Sequence, residues 1–448
     1  MTSHRGIRRR IAAVATVLSL FLVYHFTIGS SLPSTATTTT TSSSSPAAHN
    51  SAHPSSSQVS QKPTCPPLPG IEDVLVIMKT GVTEALEKVP VHFQTTLRCI
   101  PNYIIYSDFE EKISDVQIHD AFRNVDPLVK QNVPDFQIYN RLTKRGREGL
   151  EDHDFADEAN SAIGKPNNPG WKLDKWKFLP IVKEAYEHKK DAKWFVFMEA
   201  DTYFSWPTLL AWLSHFDASK PHYIGTETQI ADVIFAHGGS GFVLSNPAMK
   251  LAATEYTERA DELHEYTDQH WAGDCVLGKV LSNVGVQLSF SWPILQNTNI
   301  GELDEFTTTF YRKPWCFPAV AFHHLSPSDV RFLYDFEQKR LAKGSRPILL
   351  HSDVFKELIF PELSSVRDNW DNLSDKEQLS LITFQECQSY CEETADCVQF
   401  VMRDGKCYTG ATPRLGSKNL SVRSGWVINK IEKMVDKAPK CPRPDFGV

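Results

Sequence analysis

The sequence predicts an α/β protein in which a domain of alternating strands and helices is followed by a small, disulfide-stapled α+β module. Three observations carry that expectation. Short apolar runs rich in β-branched residues recur between helical stretches, the pattern of strands buried in a sheet covered on both faces. One of these runs, Trp194-Phe195-Val196-Phe197-Met198, leads directly into Glu199-Ala200-Asp201. Four of the nine cysteines, Cys387, Cys391, Cys397 and Cys407, crowd into one short C-terminal segment.

The 448 residues leave room for two or three domains. With 41% hydrophobic residues and a net charge of -7, the composition is that of an ordinary globular protein and excludes a polyanion-binding surface such as one for nucleic acid. Arg5, Arg8, Arg9 and Arg10 precede an uncharged apolar run from Ile11 to Ile28. As a helix, that run reaches roughly 27 Å, enough for a thin secretory-pathway bilayer. The basic cluster would keep residues 1–10 cytoplasmic and send the remainder into the lumen. A cleaved signal peptide ending near Gly29-Ser30 is the other reading, and the length of the run favours the anchor. From Ser30 to Ser60 there is no Lys, Arg, Asp or Glu. The segment 29–66 therefore reads as a disordered, Ser/Thr/Pro-rich stem of the kind that carries O-linked sugars. The sequons Asn372-Leu373-Ser374 and Asn419-Leu420-Ser421 fit the same address. Cysteines in a chain so routed should be largely paired, and the odd count leaves one free or paired between chains.

After the stem, Asp73-Val74-Leu75-Val76-Ile77-Met78 reads as a first buried strand and Tyr103-Ile104-Ile105-Tyr106 as a second. Between them Val82 to Leu97 is helical in character, interrupted at Pro90. Strand, helix, strand is a nucleotide-binding beginning, and Asp108 at the second strand's end is placed to accept hydrogen bonds from a base or ribose, although Ser107-Asp108 also suits a turn. Trp171 to His188 reads as one amphipathic helix with Lys172, Lys175 and Lys177 near its start. A helix opening at Pro207 and a strand at Tyr223-Ile224-Gly225 follow.

Glu199 and Asp201 put hard oxygen ligands at a strand end, where a divalent cation can bridge them to a diphosphate. That chemistry suits transfer from a nucleotide-sugar. His237-Gly238-Gly239-Ser240-Gly241 forms a glycine-rich turn that allows backbone to approach a sugar or phosphate, and it lacks the lysine of a phosphate-cradling loop. Asp274 opens a helix, where an acid is commonly a cap. His323 and His324 offer imidazoles for a metal or a phosphate.

Taken in order, these segments resemble the β-1,3-glycosyltransferase family that contains Fringe and the core 1 galactosyltransferases of mucin-type O-glycans. The likeness runs from about Asp73 to Pro327. It rests on Val76-Ile77-Met78-Lys79-Thr80-Gly81, Leu97-Arg98-Cys99, Gly170-Trp171-Lys172, Trp194-Phe195 and Asp201-Thr202-Tyr203. It rests equally on the glycine-rich turn, Gly273-Asp274-Cys275 and Phe322-His323-His324. The resemblance implies a GT-A-type fold over 67–350, a Rossmann-like mixed sheet flanked by helices. It implies that Asp201 binds Mn2+ with the UDP diphosphate, that Glu199 takes the place of the first acid of the family's motif, and that Asp274 is the catalytic base. Lys79, Thr80, Asp108, Lys175, Glu199, Gly239, Ser240 and Gly241 are the residues expected to hold the UDP-sugar. Ala200 departs from the middle acid, and Pro293-Ile294-Leu295-Gln296-Asn297 stands where relatives carry a metal-binding histidine. Gln296, Asn297, His323 and His324 are the candidates to replace it.

Residues 365–430, with Cys387 and Cys391 one helical turn apart, look like a PAN/apple-type module, with 431–448 as a tail. Its own staples predict that it folds alone and that catalysis survives its removal. The expected reaction is inverting transfer of a hexose, galactose first, from a UDP-sugar to a GalNAc-type acceptor in a β-1,3 linkage. A GlcNAc donor and a non-catalytic glycan-binding role are the alternatives. The expected partners are the donor, a glycoprotein or glycan acceptor and a Golgi or endoplasmic-reticulum membrane, without nucleic acid; a homodimer is compatible with all of these.

Overall fold

The computed structural model describes residues 65–156, 165 and 167–447. The expected anchor (11–28), and the stem up to residue 64, lie outside the described residues. Among the described residues no helix is long and apolar enough to cross a membrane. Cys65, the first described residue, is bonded to Cys99.

Within these residues the main sheet has eight strands. They are β1 (Val74–Lys79), β2 (Tyr103–Ser107), β3 (Glu111–Ile113), β4 (Val116–Asp120) and β5 (Trp194–Glu199), and then β7 (Tyr223–Gly225), β10 (Phe242–Ser245) and β11 (Leu288–Phe290), in the order β11-β7-β10-β5-β1-β2-β4-β3. β1 is parallel to β2 and β5, whereas β10 runs antiparallel to β5 and β7. Short pairs β6 (Tyr203–Phe204) with β12 (Ala321–Phe322), and β8 (Glu227–Ile230) with β9 (Val233–Ala236), stand beside it. Every residue of β1 is buried, because alternate side chains enter different cores. Leu75 and Ile77 pack with helices α3 (Phe178–His188), α4 (Asn246–Glu258) and α5 (Gly273–Asn283). Val74, Val76 and Met78 face the opposite side, covered by α1 (Val82–Gln94) and by Trp206, Leu209 and Trp212. The expected mixed α/β sheet flanked by helices is what forms.

Two local expectations change. Pro90 does not interrupt α1, which runs through it to Gln94. Leu86, whose carbonyl a proline N–H cannot serve, is 54% exposed, so water can take that bond. The helix expected over Trp171–His188 is two helices, α2 (Pro169–Asp174) and α3, separated by a bend at residues 175–177.

After helix α6 (Pro327–Ala342), the C-terminal region is a five-stranded sheet, β13 (Arg367–Asp371), β14 (Lys376–Gln378), β15 (Gln399–Arg403), β16 (Lys406–Gly410) and β17 (Ser417–Trp426), with helices α7 (Phe384–Glu393) and α8 (Ile428–Lys437). Cys387–Cys407 and Cys391–Cys397 tie α7 to the sheet, as the cysteine spacing suggests. No gap in the core marks the boundary expected after residue 350. Val398, Trp426 and Ile431 share one apolar cluster with Tyr203, Phe322, Trp315 and Phe355. Gly416 N–H donates to Gly301 O at 2.8 Å, and Thr412 Oγ1 donates to Asp304 Oδ2 at 2.6 Å. Residues 431–447 are not a loose tail, since α8 covers that cluster and Cys441 is bonded to Cys316.

Candidate active site

Parallel pairing places Lys79 beside Glu199 at the C-terminal ends of β1 and β5. Lys79 Nζ lies 3.0 Å from Glu199 Oε1 and 2.6 Å from Asp174 Oδ2. The bend after α2 directs a second lysine into the same cluster. Lys177 is ion-paired with Asp108, lies 3.1 Å from Asp174 and donates to Thr80 O at 2.8 Å. Asp108 Oδ2 also accepts from Val82 N–H, the opening residue of α1. Burial opposes the charge of Lys79, but Asp174 and Glu199 more than offset it and raise its pKa well above the usual lysine value. Two buried ammonium groups and three carboxylates thus close the sheet edge. A cleft beside them is lined by Lys79, Phe178, Phe197, Glu199, Gly238 and Phe242.

Asp274 sits in the first turn of α5 without acting as its cap, which is Ala272. Its Oδ2 accepts from Gly238 N–H at 2.9 Å and its Oδ1 from Cys275 N–H at 2.9 Å. Burial pushes the carboxyl up to about 6, against the pull of those two N–H groups and with help from the Glu199 charge. A Cβ at Gly238 would lie 3.3 Å from Glu199 Oε1 and 3.5 Å from Asp274 Oδ2, so the glycine lets the turn pass between the two acids.

The turn also serves a second cluster. Asp201, His323 and His324 each offer one ligand atom within 4.8 Å of the others. Asp201 Oδ1 is 3.3 Å from His323 Nε2, while His323 Nδ1 is 3.2 Å from Asn297 Oδ1. A Cβ at Gly239 would fall 2.1 Å from the His323 ring, so only glycine admits the imidazole there. Thr202 Oγ1 donates to Gly239 O at 2.8 Å and locks the turn to the acidic motif. Lys88 Nζ, on α1, lies 3.2 Å from Asp201 Oδ2. Burial works against the Asp201 charge, but His323 and Lys88 overcome it and hold the carboxyl well below the usual carboxylate range. One carboxylate and two imidazoles are a donor set suited to a first-row divalent cation. Asn297 orients His323 from behind. These residues fit a cation, with Asp201, His323 and His324 as its holders.

The structure therefore brings together Lys79, Thr80, Asp108, Glu199, Gly239 and Asp274, and beside them Asp201, His323 and His324. It does not bring Lys175, whose Nζ pairs with Asp135 at 2.9 Å and donates to Asp268 O at 3.2 Å. Lys177 enters the cluster instead. Ser240 is buried with its hydroxyl 3.1 Å from His237 Nδ1, and Gly241 turns the chain at φ 74°. Gln296 donates to Pro293 O and is occupied in shaping its own loop. Ala200 is buried in the apolar cluster with Met198 and Trp206, where a carboxylate would lack partners.

Sequence reasoning missed Asp174, Lys177 and Lys88 as site residues, because the partners that draw them into the site, Lys79, Asp108 and Asp201, are between 69 and 113 positions away in the chain. Also missed were Phe310 and Tyr311, both with positive φ, at the tip of a two-residue turn closed by Thr309 and Arg312 at 2.9 Å. Tyr311 is fully exposed and Phe310 packs edge-on against Phe290 and Trp292, beside the end of β11.

A family model described as Fringe-like matches residues 176–299. Among solved structures, a glycosyltransferase involved in the glycosylation of the major capsid of PBCV-1 matches at 11% identity and a TM-score of 0.28, over 58% of this chain and 99% of that one. No curated protein matches the chain. The matched segment begins at Trp176 and contains β5, Glu199, Asp201, the glycine-rich turn and Asp274. Over residues 176–299 the chain is thus similar to the Fringe-like family.

Proposed function

We propose that the chain is an inverting, UDP-sugar-dependent β-1,3-glycosyltransferase that moves a hexose, galactose by first choice, to a GalNAc-type acceptor during protein O-glycosylation. The observation that carries this reading is Asp274, a carboxyl raised to about 6 and set one glycine away from Glu199 at the end of the acidic strand. A base with that pKa is ionised at neutral pH yet still strong enough to take a hydroxyl proton in the transition state. In the proposed reaction the acceptor hydroxyl attacks the anomeric carbon while Asp274 receives its proton. The bond to the UDP oxygen breaks on the opposite face, so an α-linked sugar becomes β-linked. Lys79 and Lys177 offset charge that builds on the leaving diphosphate, and Asp108 is placed for the nucleoside. A divalent cation held by Asp201, His323 and His324 would supply further positive charge for that diphosphate. The proposed location is the lumen of the Golgi or endoplasmic reticulum, with residues 11–28 as the anchor.

Hydrolysis of UDP-Gal, UDP-GlcNAc and UDP-Glc by the purified lumenal portion, with a benzyl-GalNAc acceptor, tests the reading. UDP-Gal should be turned over fastest, and β-linked disaccharide should form. Loss of turnover in Asp201→Ala with a folded protein should accompany it. Glycan binding without any UDP release, by contrast, would leave only a lectin on a transferase fold.

A further inference from the structure

The two sequons of the C-terminal module meet opposite fates in the fold. Asn372 is completely buried just after β13. Its Nδ2 donates to Phe400 O at 3.0 Å and Gly425 O at 3.2 Å. Its Oδ1 accepts from the Ser374 N–H at 3.2 Å and from the Ser374 hydroxyl at 2.8 Å. Gln399 Nε2 adds bonds to Asn372 O and Ser374 Oγ. The asparagine and serine of this triplet are thus both spent closing a turn inside the sheet. An N-linked sugar would replace one of the two Nδ2 protons and would have no route to solvent.

Asn419-Leu420-Ser421 is exposed throughout, with Leu420 at 70%. Here the pairing of β17 with β13 slips. Lys418 faces Trp370 and Arg423 faces Asp368, so residues 419–422 stand opposite Asn369 alone. The chain bulges outward, with Ser421 at φ 67° and its N–H held by Asn369 Oδ1 at 3.2 Å. The bulge lifts the triplet out of the ladder while leaving the sheet beneath it intact.

We propose that Asn419 is a site of N-linked glycosylation and that Asn372, despite its matching triplet, is not. The co-reactant is a lipid-diphosphate-linked oligosaccharide. Asn419 Nδ2 forms a bond to C1 of its reducing sugar, the C1–O bond to phosphate breaks, the lipid diphosphate leaves with the electron pair, and the amide gives up one proton. Such a donor is met in the lumen of the secretory pathway. The four disulfides among the described residues place this part of the chain in an oxidising compartment of that kind. The attached glycan would also cover Leu420, an exposed apolar side chain at the crest of the bulge.

The full chain, made in a eukaryotic secretory host, should shift in mobility on treatment with peptide N-glycosidase, and peptide mapping should show Asn converted to Asp at position 419 alone. O-linked sugars resist that enzyme and do not enter the result. Asn419→Gln and Ser421→Ala should each abolish the shift while the protein is still secreted with its disulfides formed. Asn372→Gln should lower secretion and leave the shift of the secreted fraction unchanged. A glycan on Asn372 of the secreted protein, or a secreted protein unmodified at Asn419, overturns the proposal. Recovery of the chain only in the cytosol with reduced cysteines overturns it too. None of these outcomes depends on whether the protein transfers a sugar.

Discussion

Asp274 and Lys88 are the residues whose environments say most about the chemistry. Burial raises Asp274 to about 6, and a general base must be ionised to work. Turnover should therefore fall as pH drops through about 6. Asp274→Asn should flatten that limb and lower kcat by at least ~10^2-fold, with UDP binding nearly unchanged. A normal pH profile in the folded variant would remove Asp274 from the mechanism. Lys88 holds Asp201 Oδ2 at 3.2 Å and Glu84 at 2.7 Å, so it occupies a carboxylate that a cation would otherwise use. Lys88→Ala should tighten Mn2+ binding by about tenfold in calorimetry, corresponding to ~1.4 kcal/mol. Unchanged or weaker binding would mean that the ammonium does not compete.

At the scale of elements, the bend between α2 and α3 and the clamp around His351 do what no single segment announces. The bend sends Lys175 to Asp135 and the Asp268 carbonyl, away from the site, and buries Lys177 with Asp108 and Asp174. His351 is completely buried, with Nδ1 3.0 Å from Glu305 and Nε2 2.8 Å from Pro293 O. Both ring nitrogens face acceptors, which calls for the imidazolium. Burial disfavours that charge, but Glu305 and the two hydrogen bonds outweigh it and raise the pKa above the ordinary 6.5. A folded pKa raised above the unfolded one gives stability that is fully present below about 6.5 and lost as pH rises through the folded value. Thermal midpoints of the wild type should therefore fall across that window, and those of His351→Gln should fall less. At pH 6 the variant should be less stable by about 3–5 kcal/mol, since Glu305 loses its buried counter-charge. Parallel curves for the two proteins would contradict the clamp.

For the whole molecule, the central question is whether the C-terminal sheet is an appendage. Trp426, Ile431 and Val398 complete a core that also holds Tyr203, Phe322 and Leu325, the neighbours of Asp201 and His323. Cys316–Cys441 and the Trp315 Nε1 bond to Pro439 O close the chain back onto that core. A chain ending at Leu350 would expose this cluster and lose His351. It should fail to accumulate as a soluble, cooperatively unfolding protein and should show no transfer even to a small glycoside acceptor. A soluble truncation active on small acceptors would restore the picture of an independent module.

The sequence by itself determined the fold class, the strand that leads into Glu199 and Asp201, and the glycine-rich turn, because each is a local pattern, whereas Asp274 reads locally as a helix cap and is singled out only by the family resemblance. An apolar run with acids at its end, and a cluster of glycines with a serine, are each contained within a few residues. The same locality explains the two disulfides of the C-terminal segment, whose cysteines are 20 and 6 positions apart. Only the tertiary structure decided which lysine enters the cluster at the sheet edge, that Lys88 stands against Asp201, that Asn297 lies in hydrogen-bond contact with His323, and that Cys275 is the free thiol among the described residues. It also decided that Asn372 is sealed inside a sheet while Asn419 is presented on a bulge. Each of these depends on groups brought together from distant parts of the chain. Burial, charge pairing and close approach are properties of that assembled environment, and composition and spacing carry no record of it.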